Sequence, residues 1–256
     1  MLAYYETQTR GLLQNPSAPS SLYQTVDIDR WINVARGQIA GEARCVRYQA
    51  SLIATIGQRG YNFSALSTGV AAVTGIQGVI HVREMIYGVG TGYLPVDPRP
   101  WEWFMYYKMA NPAPPVGAPV IWAQYGQGAA STGSIVGTGA LPAISGSFYL
   151  DPIPDLNYSL LCDCACYPMA LASDSDVEAI PYLWTDAVPF LTAYYALLSA
   201  QTNTRAADAE RMFGYYQTFM QRARSAANPD VSAYIYDQSN DPTTIARLGL
   251  QKMANQ

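Results

Sequence analysis

The sequence predicts an α+β fold: an antiparallel helical bundle from the N- and C-terminal segments, a β-rich insertion of barrel or sandwich type between them, and an extended C-terminal tail. Three observations carry this. Apolar residues at both ends recur at helical spacing. From about Cys45 to Val177 they fall instead in short runs punctuated by Gly and Pro. Beyond Asn228-Pro229 the pattern weakens and turns polar. The implied organisation is a helical part over 1–44 and 178–227, a β-rich insertion over 45–177 and a tail over 228–256.

The first helix follows from Leu2, Tyr5, Thr9, Leu12 and Leu13, and Asn15-Pro16 stops it. Asp27 is the candidate N-cap of a second helix. Ile28, Trp31, Ile32, Ala35 and Ile39 form its stripe, with Asp29, Arg30 and Arg36 elsewhere and Gly41 near its end. In the middle, Ser51 to Ile56, Gly78 to Val82, Val120 to Tyr125, Phe148 to Ile153 and Tyr158 to Cys166 read as strands, with Gln58-Arg59-Gly60 as a hairpin tip. One aromatic helix interrupts from Pro100 to about Met109, with Pro100 in its first turn. Helices resume near Ile180. Asp186 is a candidate cap and Pro189 falls in the first turn, where its missing N–H is harmless. Trp184, Ala187, Val188, Leu191, Tyr195 and Leu198 share one face. A last helix from Thr204 carries Ala209, Met212, Phe213, Tyr216, Phe219, Met220 and Ala223.

Composition narrows the function. Half of the 256 residues are hydrophobic, so a packed core is expected rather than disorder. Charged residues are only 13%, about half the usual share, while Tyr numbers 20, a balance that suits interfaces. The net charge of −4 argues against a DNA-coating protein. Residues 60–82 and 109–150 carry no charged side chain, which predicts burial or cover by another subunit. The start, MLAYYETQTR, has neither the basic residues nor the apolar run of a signal peptide, and no stretch is long and apolar enough for a membrane helix. Four cysteines in a chain this long read as reduced thiols rather than a disulfide scaffold.

Motifs for chemistry are weak. Cys162, Cys164 and Cys166 alternate, so a strand places all three sulfurs on one face; single-residue spacing suits a buried apolar face better than a tetrahedral metal site. His81 is the only histidine, and no G-x-S-x-G accompanies it. The Gly-rich segments Gly88 to Gly92 and Gly126 to Gly139 lack the helix and the Lys-Ser/Thr of a phosphate cradle, so they read as loops or hairpin tips. Asp151/Asp155 and Asp174/Asp176 read as turn carboxylates. Trp101, Trp103, Phe104, Tyr106 and Tyr107 have only Lys108 beside them, which favours packing over base stacking. No catalytic residue, metal or cofactor is expected.

Three segments carry a resemblance. Thr7-Gln-Thr-Arg-Gly-Leu-Leu-Gln14 with Asp27-Ile-Asp-Arg-Trp-Ile-Asn-Val-Ala-Arg36 resembles the opening helix pair of the head-to-tail adaptor (neck, or tail tubular A-like) proteins of tailed bacteriophages. Phe148-Tyr-Leu-Asp-Pro-Ile-Pro154 followed by Tyr158-Ser-Leu-Leu161 resembles their strand ending in Pro-x-Pro and the strand after it. Pro181 to Ala200 and Ala206 to Arg224 resemble their closing helices. The uncharged stretch from Met109 to Leu150 and the Cys162-Asp-Cys-Ala-Cys166 run depart from that pattern.

The resemblance, spanning roughly residues 7 to 227, implies a structural virion protein at the neck between head and tail, made in the host cytoplasm. It implies a ring under the portal, twelve-fold if it matches the portal, that lengthens the DNA channel and docks a tail or nozzle protein. Genomic DNA would pass without sequence recognition, and a mild acid excess suits such a wall. The tail has too few apolar residues for a core of its own and too many for a solvated segment. With the family's habit of reaching the portal by its C-terminus, this makes Val231, Tyr234, Ile235, Tyr236, Ile245, Leu248 and Leu250 the expected portal contacts. Two other classes compete: a monomeric β-rich ligand- or glycan-binding protein using the Trp101 cluster, and a hydrolase using His81.

Overall fold

A computed structural model describes residues 1–15, 22–67, 75–89, 92–111, 113–126, 146–199 and 205–227. The first stripe forms helix α1 (Leu2–Leu13), which buries Leu2, Tyr5 and Thr9 and ends where Gln14 turns left-handed at φ 50°. The second forms α2 (Thr25–Ala43), burying Ile28, Ile32, Ala35, Ile39 and Ala40. It starts at a Gln24 cap, so Asp27 lies in the first turn, where its charge suits the helix dipole. It passes Gly41 and ends at a left-handed Arg44. Arg36, assigned outside the stripe, is buried.

Strand β1 (Arg47–Ala54) and short β2 (Gly60–Asn62) follow, then a turn of helix, α3 (Phe63–Ser67). The long β3 (Ile76–Val89) pairs back with β4 (Gly92–Arg99) through Val89 and Gly92, so the first Gly-rich segment sits at a hairpin. Most of the second, residues 127–139, lies outside the described residues. Helix α4 (Trp101–Phe104) continues into a π-helical turn, Met105–Met109. Strands β5 (Ile121–Tyr125), β6 (Ser147–Asp151) and β7 (Tyr158–Pro168) complete one seven-stranded sheet of order β1-β7-β3-β4-β5-β6-β2.

Two features of this order shape the sheet. β4 changes partner along its length: Gly92 to Val96 pair with β3, and Asp97 to Arg99 pair in parallel with β5. Each half of β4 therefore has one free side, which tolerates Pro95 and Pro98 inside a strand. These prolines hid β4 from the periodicity. Second, β1 and β2 are neighbours in sequence but stand at opposite ends of the sheet. Gln58-Arg59-Gly60 therefore closes no hairpin. The link 55–59 spans at most about 20 Å, whereas seven flat strands would set the edges about 29 Å apart. The sheet must curl to bring its edges together. Tyr61 fixes the link: its hydroxyl accepts from the Thr55 amide at 2.9 Å and donates to the Gln58 carbonyl at 2.9 Å.

Three helices complete the described residues: α5 (Tyr182–Thr185), α6 (Ala187–Ser199) and α7 (Ala206–Ala227). α6 is apolar nearly all round, with Val188, Leu191, Ala193 and Ala196 fully buried, so it is surrounded. It packs on α1, α2 and α7. Phe190 stacks on Phe219 at 4.9 Å, and Tyr194 meets Phe213 at 5.0 Å with the rings tilted. Tyr216 of α7 donates to Glu42 of α2 at 2.6 Å. No helix among the described residues is long and apolar enough to cross a membrane.

The expected helical bundle carrying a barrel- or sandwich-like insertion is not what forms. The fold is mixed α+β, organised around the curled seven-stranded sheet, and helices and strands share one hydrophobic cluster. α2 packs on β7, and Ile28, Ile32 and Ile39 belong to the same cluster as Cys162, Cys164 and Cys166. The helical stripes are thus spent partly on the sheet rather than wholly on one another. The extended tail of the expected fold lies outside the described residues.

Ile32 is fully buried, whereas Trp31 is half-buried at the stripe edge, its ring 6.0 Å from that of Tyr23. Ile32→Ala is expected to lower the unfolding free energy by about 2–5 kcal/mol, and Trp31→Ala by less than the roughly 3–5 kcal/mol of a fully buried Trp. Urea unfolding of the full chain checks this; a loss below about 1 kcal/mol for Ile32→Ala would place that face outside the core.

Candidate functional site

The residues singled out for chemistry are held apart. His81 is half-exposed on β3, and its pKa is lowered first by burial, then by Arg44 and Arg83. No hydroxyl, thiol or carboxylate hydrogen-bonds its ring among the described residues. The three alternating cysteines do share one buried face of β7. Burial pushes Cys162 and Cys166 up to about 12 and Cys45 to about 11, so these thiols stay protonated and unreactive at neutral pH. Among the described residues no three His, Cys, Asp or Glu gather to hold a metal.

The acidic pairs serve the chain itself. Asp155 accepts from the Tyr158 hydroxyl at 2.6 Å. Asp176 accepts the amides of Ala172 and Ser173 at 2.6 and 2.7 Å, which lowers its pKa. Asp174 accepts the Ala3 amide at 2.6 Å, tethering α1. Asp151, 1% exposed, is gripped by Arg59 at 3.0 Å and Lys108 at 2.8 Å. Arg59 also donates to the Lys108 carbonyl at 2.9 Å, so this network fixes the π-helical turn against β6.

That turn forms an aromatic ledge. Trp101 packs against Tyr125 and Tyr149 at 4.8 and 5.0 Å, which covers the ring that a sugar would need. Met105, Tyr106, Tyr107 and Met109 face outward, Tyr106 at 70% exposure. Val116, Val120 and Tyr125, from the charge-free stretch, are exposed as well. A run of exposed large apolar side chains is the usual mark of a contact surface.

Between α1, α2 and the segment leading to α5 lies a buried ion pair. Arg36 donates to Glu178 at 2.7 Å, with exposures of 1% and 7%. Arg36 also reaches the Met169 carbonyl at 2.7 Å and Asn33 at 3.1 Å. Glu178 accepts from the Tyr5 hydroxyl and the Ile180 amide, both at 2.9 Å. Burial and then this carboxylate raise the Tyr5 phenol far above its ordinary value. Nearby, Glu6 of α1 faces Asp29 of α2. Burial first, then Asp29, raise Glu6 to about 7, against a smaller opposing pull from Arg10 and with a further push from Asp174. Asp29 Oδ1 is buried without a hydrogen-bond donor.

Sequence reasoning missed one gathering. Arg44 at the end of α2, Arg47 of β1, Arg83 of β3 and Arg224 of α7 line a cleft of about 460 Å³, walled by Leu183 and Trp184. Their only common signal is chemical type. They stand on four elements that only the tertiary fold brings together. The expected portal contacts Val231, Tyr234, Ile235, Tyr236, Ile245, Leu248 and Leu250 lie outside the described residues.

A family model described as SU10 adaptor protein matches residues 7–243. No curated protein matches the chain.

Two predictions follow from the helix contacts. Arg36→Met strands a buried carboxylate and is expected to cost about 3–5 kcal/mol, while pairing it with Glu178→Leu recovers part of that loss; denaturant unfolding of the two variants compares them. The folded Glu6 pKa near 7 exceeds an unfolded value of about 4.3. Its stabilising proton is therefore fully retained below the unfolded value and lost as pH rises through the folded one. Melting temperature should fall between about pH 5 and pH 8, and Glu6→Gln should flatten that fall.

Proposed function

The chain belongs to the SU10 adaptor protein family and so has a structural role as a bacteriophage adaptor at the head–tail junction, and from that premise we propose how it performs the role. It assembles as a ring beneath the portal, lengthens the channel through which genomic DNA passes without sequence recognition, and offers its far face to a tail or nozzle protein. Twelve copies would match a twelve-fold portal. The family match over residues 7–243 is the observation that carries this reading.

Three properties support it. The aromatic ledge from Met105 to Met109, continued by Val116 and Val120, is a surface suited to contact between adjacent copies. A charge of −4 spread over a charge-poor chain keeps phosphate from adhering to a channel wall. The buried Arg36–Glu178 pair ties α2 to the segment that leads into the closing helices, which gives a ring subunit a stiff frame. In this reading the helical part (1–44 and 178–227) and the strand-rich part (45–177) form the ring wall. The segment 228–256 reaches the portal through Val231, Tyr234, Ile235, Tyr236, Ile245, Leu248 and Leu250.

Mixing the purified chain with the portal protein of its own phage tests this, with particle mass and electron microscopy as readouts. The full chain should join portal particles as a ring. A chain truncated after Ala227 should keep its circular dichroism and melting profile yet fail to join. Unchanged binding by the truncated chain would remove the C-terminal segment as anchor. Failure of the full chain to join at all would overturn the placement beneath the portal.

A further inference from the structure

Arg44, Arg47, Arg83 and Arg224 come from four separate elements, yet line a single cleft. In a chain with 15 basic and 19 acidic residues, such a convergence runs against the overall charge. Arg47 is committed to Asp163 across the β1–β7 ladder, and Glu84 adds to its field. Arg44, Arg83 and Arg224 have no carboxylate at ion-pair distance among the described residues. That Arg44 and Arg83 are among the groups holding down the His81 pKa shows that their charges reach the same space.

A structural reason for these arginines exists and falls short. α2 and α7 both end at the cleft, and a helix C-terminus carries about half a negative charge. Two such ends offset about one guanidinium. Three lack a carboxylate partner among the described residues. All three are solvent-exposed, so the cost of leaving them unpaired is small and the site is open to a ligand.

We infer that this cleft binds an acidic peptide segment of a partner protein, with Arg83 and Arg224 gripping carboxylates and an apolar side chain of the segment resting on Leu183 and Trp184. The guanidinium fork matches a carboxylate in two parallel hydrogen bonds. The apolar wall is what favours peptide over nucleic acid. Leu183 is 50% exposed beside the arginines, and a phosphate backbone has nothing to place on it. Duplex DNA also asks for basic residues along an exposed stripe, whereas these converge into a concavity on an acidic protein. The inference does not depend on ring formation or on portal binding.

The test uses the full chain without portal. Probes are a short acetylated peptide of alternating Asp and Leu, its Asn/Leu counterpart, and a short DNA duplex, with titration calorimetry as readout. The Asp/Leu peptide should bind, and the Asn/Leu peptide should bind at least about tenfold more weakly. Arg83→Gln and Arg224→Gln should each weaken the acidic peptide by about tenfold. Arg99→Gln, whose guanidinium lies over Trp103 instead, should leave it unchanged. Absence of binding, equal binding of the neutral peptide, or indifference to both cleft substitutions would overturn the inference. Tighter binding of the duplex, lost in the same variants, would overturn it in favour of nucleic acid.

Discussion

The position of the helices on the sheet depends on one carboxylate. Glu178 lies in the segment between β7 and the closing helices, and it receives Arg36 from α2, Tyr5 from α1 and the Ile180 amide from its own strand of chain. A buried pair of this kind contributes little net stability against an apolar alternative, because both ions leave water. Its value is directional. Hydrophobic stripes on α1, α2 and α6 tolerate sliding; a guanidinium that must meet Glu178, Asn33 and the Met169 carbonyl at once does not. The pair therefore selects one arrangement of elements that the core alone would hold loosely.

The same constraint marks where the sequence was legible. Stripes on α1, α2, α6 and α7 are local patterns, and each stands close to where its period placed it. The alternating cysteines of β7 share the face their spacing demanded. Arg36 escaped because helical period marks a charge as solvent-facing unless its partner is known, and the partner lies 142 residues away. The expected bundle fails for a related reason: a stripe says that a helix face is covered, and is silent on whether a helix or a sheet covers it. β4 was lost to its prolines, and the β1–β2 turn misled because a short loop between two strands ordinarily joins a pair.

Function was legible to a different degree. The resemblance of the opening helices and of the Pro152-Ile-Pro154 segment pointed to the family that the match over 7–243 establishes. The arginine cleft had no sequence signature, since its members are scattered from position 44 to position 224. The aromatic ledge was visible as composition, but its division into an inward Trp101 and outward Tyr106 and Tyr107 required the Asp151 network that sets the π-helical turn.

The strand order has a consequence for how the chain comes into being. Among the described residues β1 pairs only with β7, and Arg47 of one meets Asp163 of the other 116 residues later. On the ribosome β1 therefore emerges long before its neighbour. Its hydrogen-bonding edge stays open until β7, the last described strand to be made, closes the ladder from Arg47↔Ala165 to Ala54↔Tyr158. Such distant pairing slows folding and exposes an unpaired strand to other nascent copies. The chain meets that hazard during synthesis, and expression at lower temperature or slower translation would reduce it.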